Sequence, residues 1–352
     1  FGENPHDGHF CGNGLLFGDR SVTPKLCEIK KLYQNVDFNA IDASRGIIEI
    51  KNKFMFTNLN EYELHWSQCS DKGEFCSGTL ACDIAPGEKA VIDLELSRIK
   101  TECYLNLEFV TKEDTSWCDA GHIVAEDQFV INEFENTYDE LETDQPLINN
   151  YKVLEDGKKV IITGGATVCT QPESKAQIIY TITSKGMEID LQFYPDASLP
   201  EIPEVSVLFE LPKDFENLTY LGNGPEENYI DRCNASKIGL YNTTVNDLWV
   251  NYLKPQECGN RTGVRYATLV GDKKVFSVVA EPQMELNVSH YLPKEIENVW
   301  HQKDMPEYNK TVVRLIARQQ GIGGYDSWGA HCNDIYKNKT DKTYRLKFQI
   351  RF

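Results

Sequence analysis

Alternation of apolar and polar residues is the feature that most constrains the fold of this 352-residue chain. The segment YRLKFQIRF (344–352) places its aromatic and aliphatic residues on one face of a strand and its Arg, Lys and Gln residues on the other. CYLNLEFV (103–110) and MEIDLQF (187–193) repeat this pattern, and IIEIKNKFMF, AVIDLEL and AQIIYTIT are also typical of strands. One face of each strand is therefore buried and the other solvated, which predicts an all-β protein built from antiparallel sheets.

The strand candidates and the turns between them divide the chain into four zones. Residues 1–24 are loop-like, and residues 25–134 hold about seven strand candidates, enough for one Ig-like β-sandwich. KLCEIKKLY (25–33) is the one short helix we expect there. Residues 135–148 are acidic and unpatterned, which predicts a linker. Residues 149–352 form a second, larger antiparallel β unit.

The overall charge excludes two classes of partner. A net charge of −18 argues against nucleic acid and against an anionic membrane surface. No apolar run reaches the length of about 18 residues that a membrane-spanning helix needs, so we expect no membrane insertion. The sequence begins at Phe1 rather than Met and has no apolar signal segment, which indicates a processed product or a piece of a longer protein.

Eleven cysteines are many for a reducing cytosol. None forms a CxxC pair or a Cys/His zinc spacing, so disulfides are the more natural interpretation. Cys69 and Cys76 flank SDKGEF and are candidates to bridge a hairpin loop. An odd number of cysteines leaves at least one thiol free or paired with another chain.

Seven N-x-S/T sequons support the same compartment. Together with the cysteines they predict a secreted protein or one of the secretory-pathway lumen, with an Asn-rich cytosolic protein as the alternative. The candidate glycosylation sites are Asn217, Asn234, Asn242, Asn260, Asn287, Asn309 and Asn338.

Four stretches are richer in glycine and polar residues than folding alone requires. They are NPHDGHFCGNG (4–14), GNGPEENYIDR (222–232), PQECGNRTGVRY (255–266) and GIGGYDSWGAH (321–331). Polar side chains on loops that a rigid β scaffold carries are a common way to build a site. We therefore expect these four stretches to contribute to the functional site.

A carboxylate pair for acid–base chemistry could come from Glu226, Glu227, Asp231, Glu257 and Asp326. The ordinary alternative is that Glu226 and Glu227 are solvated loop charges, and their spacing alone favours that interpretation.

Trp328 has two interpretations on the residues alone. It either caps a core or is held out as a platform for a ligand. Lone histidines in these loops, such as His6 and His331, more often make ordinary hydrogen bonds than bind a metal ion.

The motifs YLGNGPEENYIDR, PQECGNRTGVRY and GIGGYDSWG resemble, in that order, the C-terminal domain of family-2 β-galactosidases. DGHFCGNGLLFGDRSVTPKLCEIKKLYQ is similar to the end of that family's catalytic TIM barrel, and LHW, DIAPGEK and AGHIVAEDQF to the Ig-like domain that follows. The resemblance covers the whole chain. It implies a short barrel remnant, an Ig-like β-sandwich and a large terminal β-supersandwich.

The resemblance assigns this chain the periphery of a sugar site. The family's two catalytic glutamates lie on earlier barrel strands, so no catalytic residue is expected here. Trp328 matches the tryptophan that stacks on the aglycone sugar. Phe10 lines the galactose pocket and supplies a carbonyl to sodium, and Asn13 supplies a side-chain oxygen to that ion. His6 falls where the family commonly has an asparagine near magnesium, a departure that weakens the magnesium assignment. Glu257 is expected on a loop that faces the pocket.

A second departure concerns the start of the terminal domain. The family normally has a segment of roughly 80 residues there, with an Arg-Ala-Pro…Asp stretch, whereas here the linker runs almost directly into YKVLEDGKKVIITGG. We expect the supersandwich to lack this segment, or the sequence to be discontinuous there.

Three functional hypotheses follow. In the first, the chain is the C-terminal part of a secreted β-galactosidase-like hydrolase, inactive alone, homo-oligomeric, and completed by an N-terminal portion that carries the glutamates. In the second, it is a non-catalytic secreted glycan-binding or structural protein derived from such a tail. In the third, Glu257 acts catalytically with Asp326 or Glu227, which nothing in the family supports.

Overall fold

The computed structural model describes residues 14–99, 101–132, 152–156, 159–170, 173–184, 186–272, 274–325 and 329–351. The chain divides into two compact units. A smaller unit comprises the described parts of 27–136 and 237–240, and a larger unit the described parts of 1–26, 137–236 and 241–352. Among the described residues, no helix is both long and apolar enough to cross a membrane.

Strands dominate the secondary structure, as the alternation predicts. The first helix, α1, begins with Pro24 at its first position, where a missing N–H costs nothing, and Thr23 accepts a hydrogen bond from the Leu26 N–H as its cap. The helices are α1 (Pro24–Leu32), α2 (Val245–Leu248) and α3 (Pro293–Ile296). The strands are β1 (Val36–Asp42), β2 (Ile47–Asn52), β3 (Tyr62–Ser70), β4 (Gly73–Leu80), β5 (Lys89–Asp93), β6 (Cys103–Thr111), β7 (Ile123–Asn132), β8 (Lys152–Asp156), β9 (Lys159–Thr170), β10 (Glu173–Thr183), β11 (Gly186–Tyr194), β12 (Glu204–Pro212), β13 (Asn217–Gly224), β14 (Lys237–Thr244), β15 (Arg261–Val270), β16 (Val275–Ser289), β17 (Lys310–Gln319) and β18 (Tyr344–Arg351).

The smaller unit is a two-sheet sandwich. One sheet has the strand order β1-β2-β5 and the other β4-β3-β6-β7, with every pairing antiparallel. Inward residues of both sheets share one apolar core; Phe38 from the first sheet stacks on Phe109 from the second, with ring centroids 5.8 Å apart. Three plus four strands around such a core is the arrangement of an Ig-like domain, and the predicted sandwich is confirmed.

The larger unit is built on one extended antiparallel sheet of 11 strands among its described residues. Its main path runs β14-β13-β15-β16-β18-β11-β10-β9-β8, and β17 joins β16 to β12. The long strand β16 pairs with β18 through its first half and with β17 through its second half. This second pairing brings the ends of β13 and β17 to one region of the sheet, where the loop motifs lie.

The core of the larger unit follows the predicted alternation. On β18, Tyr344, Leu346, Phe348 and Ile350 are all buried, whereas Arg345 and Arg351 are exposed. The apolar face of β11 packs into the same core. The zone predicted as a barrel remnant is described only from residue 14, where an antiparallel bridge joins Leu16 to Val22.

The proposed disulfide of the β3–β4 hairpin is wrong. Cys69 and Cys76 both carry free thiols. The register places Cys76 opposite Gln68 and Cys69 opposite Glu74, and successive strand residues point to opposite faces, so the two thiols do not meet. Further described cysteines with free thiols are Cys82, Cys103, Cys118, Cys258 and Cys332.

Candidate functional site

Three of the four glycine- and polar-rich motifs come together on the larger unit. GNGPEENYIDR contains the end of β13 and the loop after it, PQECGNRTGVRY leads into β15, and GIGG follows β17. The end of β13 lies beside the start of β15, since Leu221 pairs with Tyr266. Leu286 of β16 pairs with both Arg261 of β15 and Leu315 of β17. Strand order therefore places these loops on one edge of the sheet.

Asn228 fastens the loop after β13 to the start of β15. Its side chain is fully buried, and its amide donates to the backbone carbonyls of Asn223 and Glu226. Its side-chain oxygen accepts from both the N–H and the hydroxyl of Thr262, each at 2.7 Å. A buried amide with four such bonds holds two loops in a single arrangement.

Asn260 extends this link to β16 and β17. Its buried amide donates to the Asn228 carbonyl at 3.1 Å and to Glu285 Oε2 at 2.8 Å. Glu285 Oε1 accepts the backbone N–H of Gln319 at the end of β17. Burial raises the pKa of Glu285, and the hydrogen bond from Asn260 opposes that rise.

Glu227 is the centre of a buried ionic cluster. Its side chain is fully enclosed and accepts bonds from the Arg232 guanidinium and the Tyr252 hydroxyl, and from the Gly259 N–H at 2.6 Å. Burial lowers the pKa of Arg232, but the Glu227 carboxylate and the Tyr252 hydroxyl together outweigh it and the net pKa is raised. The expectation of solvated loop charges is correct for Glu226, which is exposed, and wrong for Glu227.

Glu257 belongs to a second ionic cluster. Both of its oxygens accept from Arg314 Nη2 at 2.9 Å, and Oε1 also accepts from Asn287 and from the Tyr229 hydroxyl. Arg314 binds Glu204 through its other terminal nitrogen. Burial raises the pKa of Glu257 and Arg314 opposes this rise, while 30% of the Glu257 side chain stays exposed. Glu257 is therefore more accessible than Glu227, whose side chain is fully enclosed.

Arg261 is a buried cation held by neutral acceptors. Its Nε donates to the Tyr220 hydroxyl at 3.1 Å, and its terminal nitrogens donate to the carbonyls of Gly259, Asn260 and Pro225. The guanidinium thus fixes the backbone of both loops around it, a task that its five donors in a planar fork suit well.

Asp231 connects the loop after β13 to the glycine-rich run after β17. Its two carboxylate oxygens accept from the backbone N–H groups of Ile322 and Gly323, at 3.2 and 2.6 Å. Its neighbour Arg232 bonds to Glu227 instead. The three motifs therefore form one continuous hydrogen-bonded cluster.

An open cleft of 720 Å³ lies beside this cluster. Its walls come from the segment 14–25 and from the loop 247–253. The ring centroids of Phe17 and Tyr252, one from each wall, are 6.0 Å apart. Since Tyr252 also binds Glu227, the described end of the N-terminal motif lies against the same loops.

Three of the described carboxylates in these motifs are held by partners within the protein. Glu227 and Glu257 are each bound to an arginine, and Asp231 is bound to backbone N–H groups. Such charge-assisted bonds join the loops that carry these carboxylates. Among the described residues, no group of three or more His, Cys, Asp or Glu side chains could hold a metal ion.

Several predicted site residues lie outside the described residues. These are Trp328, Asp326, Phe10, Asn13 and His6.

Three of the seven predicted glycosylation sites are wrong, because their side chains are buried. Asn260, Asn287 and Asn338 are each at most 1% exposed, and their amides donate to other groups of the protein. A glycan on any of them is incompatible with this fold. The other four are exposed: Asn217, Asn234, Asn242 and Asn309.

Sequence reasoning missed several members of the cluster. Arg314 interrupts the apolar run VVRLI on β17, and a charge at a buried strand position is a signal that could have marked it. Glu285 in QMELNV of β16 gives the same signal. Tyr252 has no such signal, because its partners come from a distant part of the chain.

Comparison with known families settles the membership of the chain. Residues 88–350 match the family described as "Beta galactosidase small chain". The chain belongs to the β-galactosidase small chain family. Residues 1–38 match "Glycosyl hydrolases family 2, TIM barrel domain". The predicted resemblance to the C-terminal portion of a family-2 β-galactosidase is confirmed.

Curated relatives share this small chain within longer proteins. A β-galactosidase of Priestia megaterium is 30% identical over 432 positions, covering 100% of this chain and 42% of that protein. Those of Halalkalibacterium halodurans and Streptococcus thermophilus are 28% and 25% identical, each over 99% of this chain and 42% and 41% of their own length. The chain thus spans about two fifths of the length of these relatives.

The alignment with the Priestia megaterium protein is 80 positions longer than the 352 residues of this chain. The relative therefore has at least that many positions without a counterpart here, while the location predicted near 135–150 stays a prediction. Among solved structures, a putative aldose 1-epimerase of Escherichia coli covers 57% of this chain at 6% identity, with a TM-score of 0.27, too low to support an argument.

Proposed function

We propose that this chain is the C-terminal part of a β-galactosidase-like glycoside hydrolase and that it completes the sugar pocket of the whole enzyme. The observation that carries the proposal is the convergence of three family motifs in one hydrogen-bonded loop cluster, in a chain whose relatives are named β-galactosidases. A module with no role at a site would have little use for so many buried charges beside its loops.

In this proposal the chemistry comes from the N-terminal portion. That portion supplies two glutamates for retaining hydrolysis of a terminal β-D-galactoside: one attacks C1 and the other protonates the leaving oxygen. The arginine-bound state of Glu227 and Glu257 agrees with a supporting role for this chain.

The contacts with the sugar remain predictions from the family. Trp328 would stack on the aglycone, which contributes apolar contact and orientation rather than proton transfer. Phe10 and Asn13 would line the pocket and hold sodium, and His6 would lie near magnesium. Partly exposed Glu257 would face the pocket rim.

Secretion is also a proposal. The three buried sequons and the free thiols do not support it. The proposal therefore rests on the exposed sequons, which are Asn217, Asn234, Asn242 and Asn309.

The first experiment determines the mass of the native particle and of its chains, and tests the particle for hydrolysis of lactose and of an aryl galactoside. A larger partner portion together with turnover supports the proposal. Particles that contain only chains of this size would favour the non-catalytic glycan-binding or structural alternative.

The second experiment compares Trp328→Ala with Trp117→Ala in the whole enzyme. Trp117 is 64% exposed on the smaller unit and serves as a control for loss of an exposed tryptophan. We expect Trp328→Ala to raise the KM for lactose up to about tenfold, the order of one lost stacking contact, and Trp117→Ala to leave it unchanged. Equal kinetics for both variants would remove Trp328 from the site.

A further inference from the structure

We propose that Asp231 is a positioning residue that fixes the glycine-rich run 321–325 and thereby the aglycone side of the pocket. This inference rests on the proposed function. It assigns to Asp231 no contact with the sugar; the residue acts through the backbone of the run whose sequence continues to Trp328.

The first argument is the hydrogen bonding of the carboxylate. Asp231 accepts from two successive backbone N–H groups, those of Ile322 and Gly323, with one oxygen for each. A carboxylate that accepts two backbone N–H bonds makes charge-assisted bonds, which are shorter and stronger than neutral ones. The contact at Gly323 is 2.6 Å. The run is therefore fastened at its start by a residue 91 positions earlier in the chain.

The second argument explains why the run is rich in glycine. A Cβ on Gly321 would lie 2.6 Å from Asp231 Oδ2 and 2.8 Å from Tyr336 Cβ, and one on Gly323 would lie 3.0 Å from the same carboxylate oxygen. Gly324 has φ +87°, which side-chain-bearing residues rarely adopt. The glycines thus allow the backbone to approach Asp231 closely enough to bond with it.

The third argument is that the described residues around the run are themselves held. The Gly321 N–H donates to the Tyr336 carbonyl at 3.0 Å. The Gln320 amide donates to the Tyr325 hydroxyl, and the Tyr325 ring meets the His331 ring edge to face at 5.4 Å. Asp231 therefore bonds to a run that has further support on both sides, and a shift at Asp231 would be passed along the backbone.

Arg232 strengthens the assignment because it ties the same loop to the buried cluster. Arg232 bonds to Glu227 and lies over the Tyr229 ring at 5.4 Å, while Asp231 turns to the run. Two adjacent residues thus connect the core of the cluster with its outer loop. This arrangement gives the outer loop a fixed position relative to the sheet.

The test uses the whole enzyme with Asp231→Ala, Trp328→Ala and the double variant. We expect Asp231→Ala to raise the KM for lactose several-fold, up to about tenfold, with kcat for an aryl galactoside changed by less than about twofold. The double variant should be no worse than Trp328→Ala alone, because the two residues act through one contact. Effects that multiply in the double variant would overturn the inference.

Two further variants separate positioning from general damage. Asp231→Asn keeps one acceptor oxygen but loses the charge and the second acceptor, so its KM should lie between those of the wild type and Asp231→Ala. Asp214→Ala is the matched control, since Asp214 also accepts a backbone N–H, that of Asp272 at 3.0 Å, beside a closely packed glycine, Gly271. Asp214→Ala should leave both kinetic constants unchanged, and an equal effect of the two alanine variants would contradict a specific role for Asp231.

Amide hydrogen exchange gives a readout that does not depend on turnover. The amides of Ile322 and Gly323 should exchange faster in Asp231→Ala and stay unchanged in Asp214→Ala. Unchanged exchange in Asp231→Ala would overturn the inference even in an active enzyme. If these amides exchange faster in Asp231→Ala but the assembly hydrolyses no galactoside, the proposed function has failed while the contact of Asp231 with the run stands.

Discussion

The smaller unit and the loop cluster of the larger unit differ in the bonds of their buried polar side chains. Both bury carboxylates, since Glu28 and Glu102 of the smaller unit are 8% and 7% exposed. In the smaller unit, the fully buried Asn52 and Gln68 are neutral amides that bond to backbone groups of neighbouring turns. In the larger unit, the loop cluster buries charged groups, including Glu227, Arg261 and Arg314. In the loop cluster, Arg232 Nε and Asn260 Oδ1 are buried without a hydrogen-bond partner among the described residues. The two arrangements therefore differ in what each costs the fold.

A buried amide replaces water by backbone partners at little net cost. A buried ion pair must first remove two charges from water, and apolar residues of similar volume are often as stable or more so. The sandwich needs its amides to fix turns, whereas an 11-stranded sheet does not need ionic clusters at one edge in order to form. The comparison therefore marks the loop cluster as a candidate site independently of sequence motifs.

The largest expected effect comes from breaking the Glu227 cluster. Glu227→Ala leaves the Arg232 guanidinium buried without its counter-charge and removes the acceptor of the Tyr252 and Gly259 donors. We expect the larger unit to lose about 3–5 kcal/mol of unfolding free energy. Denaturant-dependent hydrogen exchange on β15 measures this loss. The neighbouring exposed Glu226→Ala should change it by less than about 0.5 kcal/mol, and similar values for both would contradict the ionic-cluster interpretation.

Much of the fold could be predicted from local pattern. Period-two alternation identified β6, β11 and β18, and Pro24 with Lys30 and Lys31 near the other end marks α1. These signals report the face of a strand or helix on which each residue lies. Whether that face is buried is a local property of the strand or helix. The pairing of β17 with β12 is different, because it joins residues far apart in the chain, from Glu204 with Gln319 to Pro212 with Lys310.

The candidate site could be predicted in position but not in chemistry. Glycine and polar residues marked the loops, since close backbone approach at Gly321 requires glycine. Whether a carboxylate is solvated depends on partners brought by other strands, so Glu226 and Glu227 looked alike in sequence and differ completely in the fold. The wrong disulfide between Cys69 and Cys76 has the same origin, because a one-residue irregularity in the β3–β4 register decides which face each thiol takes.

An intermediate effect is expected at the buried amide of the smaller unit. Asn52→Ala removes donors to the carbonyls of Thr57 and Ile84 and the acceptor of the Phe54 N–H. We expect a loss of about 1–3 kcal/mol, less than for Glu227→Ala, because no charge is left behind. Hydrogen exchange on β2 measures it. Asn39→Ala on the exposed face of β1 is the control and should be nearly neutral; a loss at Asn52 as large as that at Glu227 would remove the distinction between the two units.

The smallest expected effect is a pH dependence of the stability of the smaller unit. It comes from a buried thiol whose charged form has no partner in the described part of the chain. Burial raises the pKa of the Cys82 thiol to about 11 from an ordinary value near 9. The native state keeps this proton where the unfolded chain loses it, so stability is complete below pH 9 and falls as the pH rises towards 11. From the Cys82 thiol we expect a loss of about 1 kcal/mol between pH 8 and pH 10 that Cys82→Ala removes. Cys103, whose pKa burial also raises to about 11, contributes a further loss in both proteins. Urea titrations at each pH test this difference, and the two proteins must show parallel stabilities between pH 6 and pH 8. A slope as steep in Cys82→Ala as in the wild type would show that the apolar core of this unit accepts the charged thiolate, and it would weaken the contrast with the ionic clusters of the larger unit.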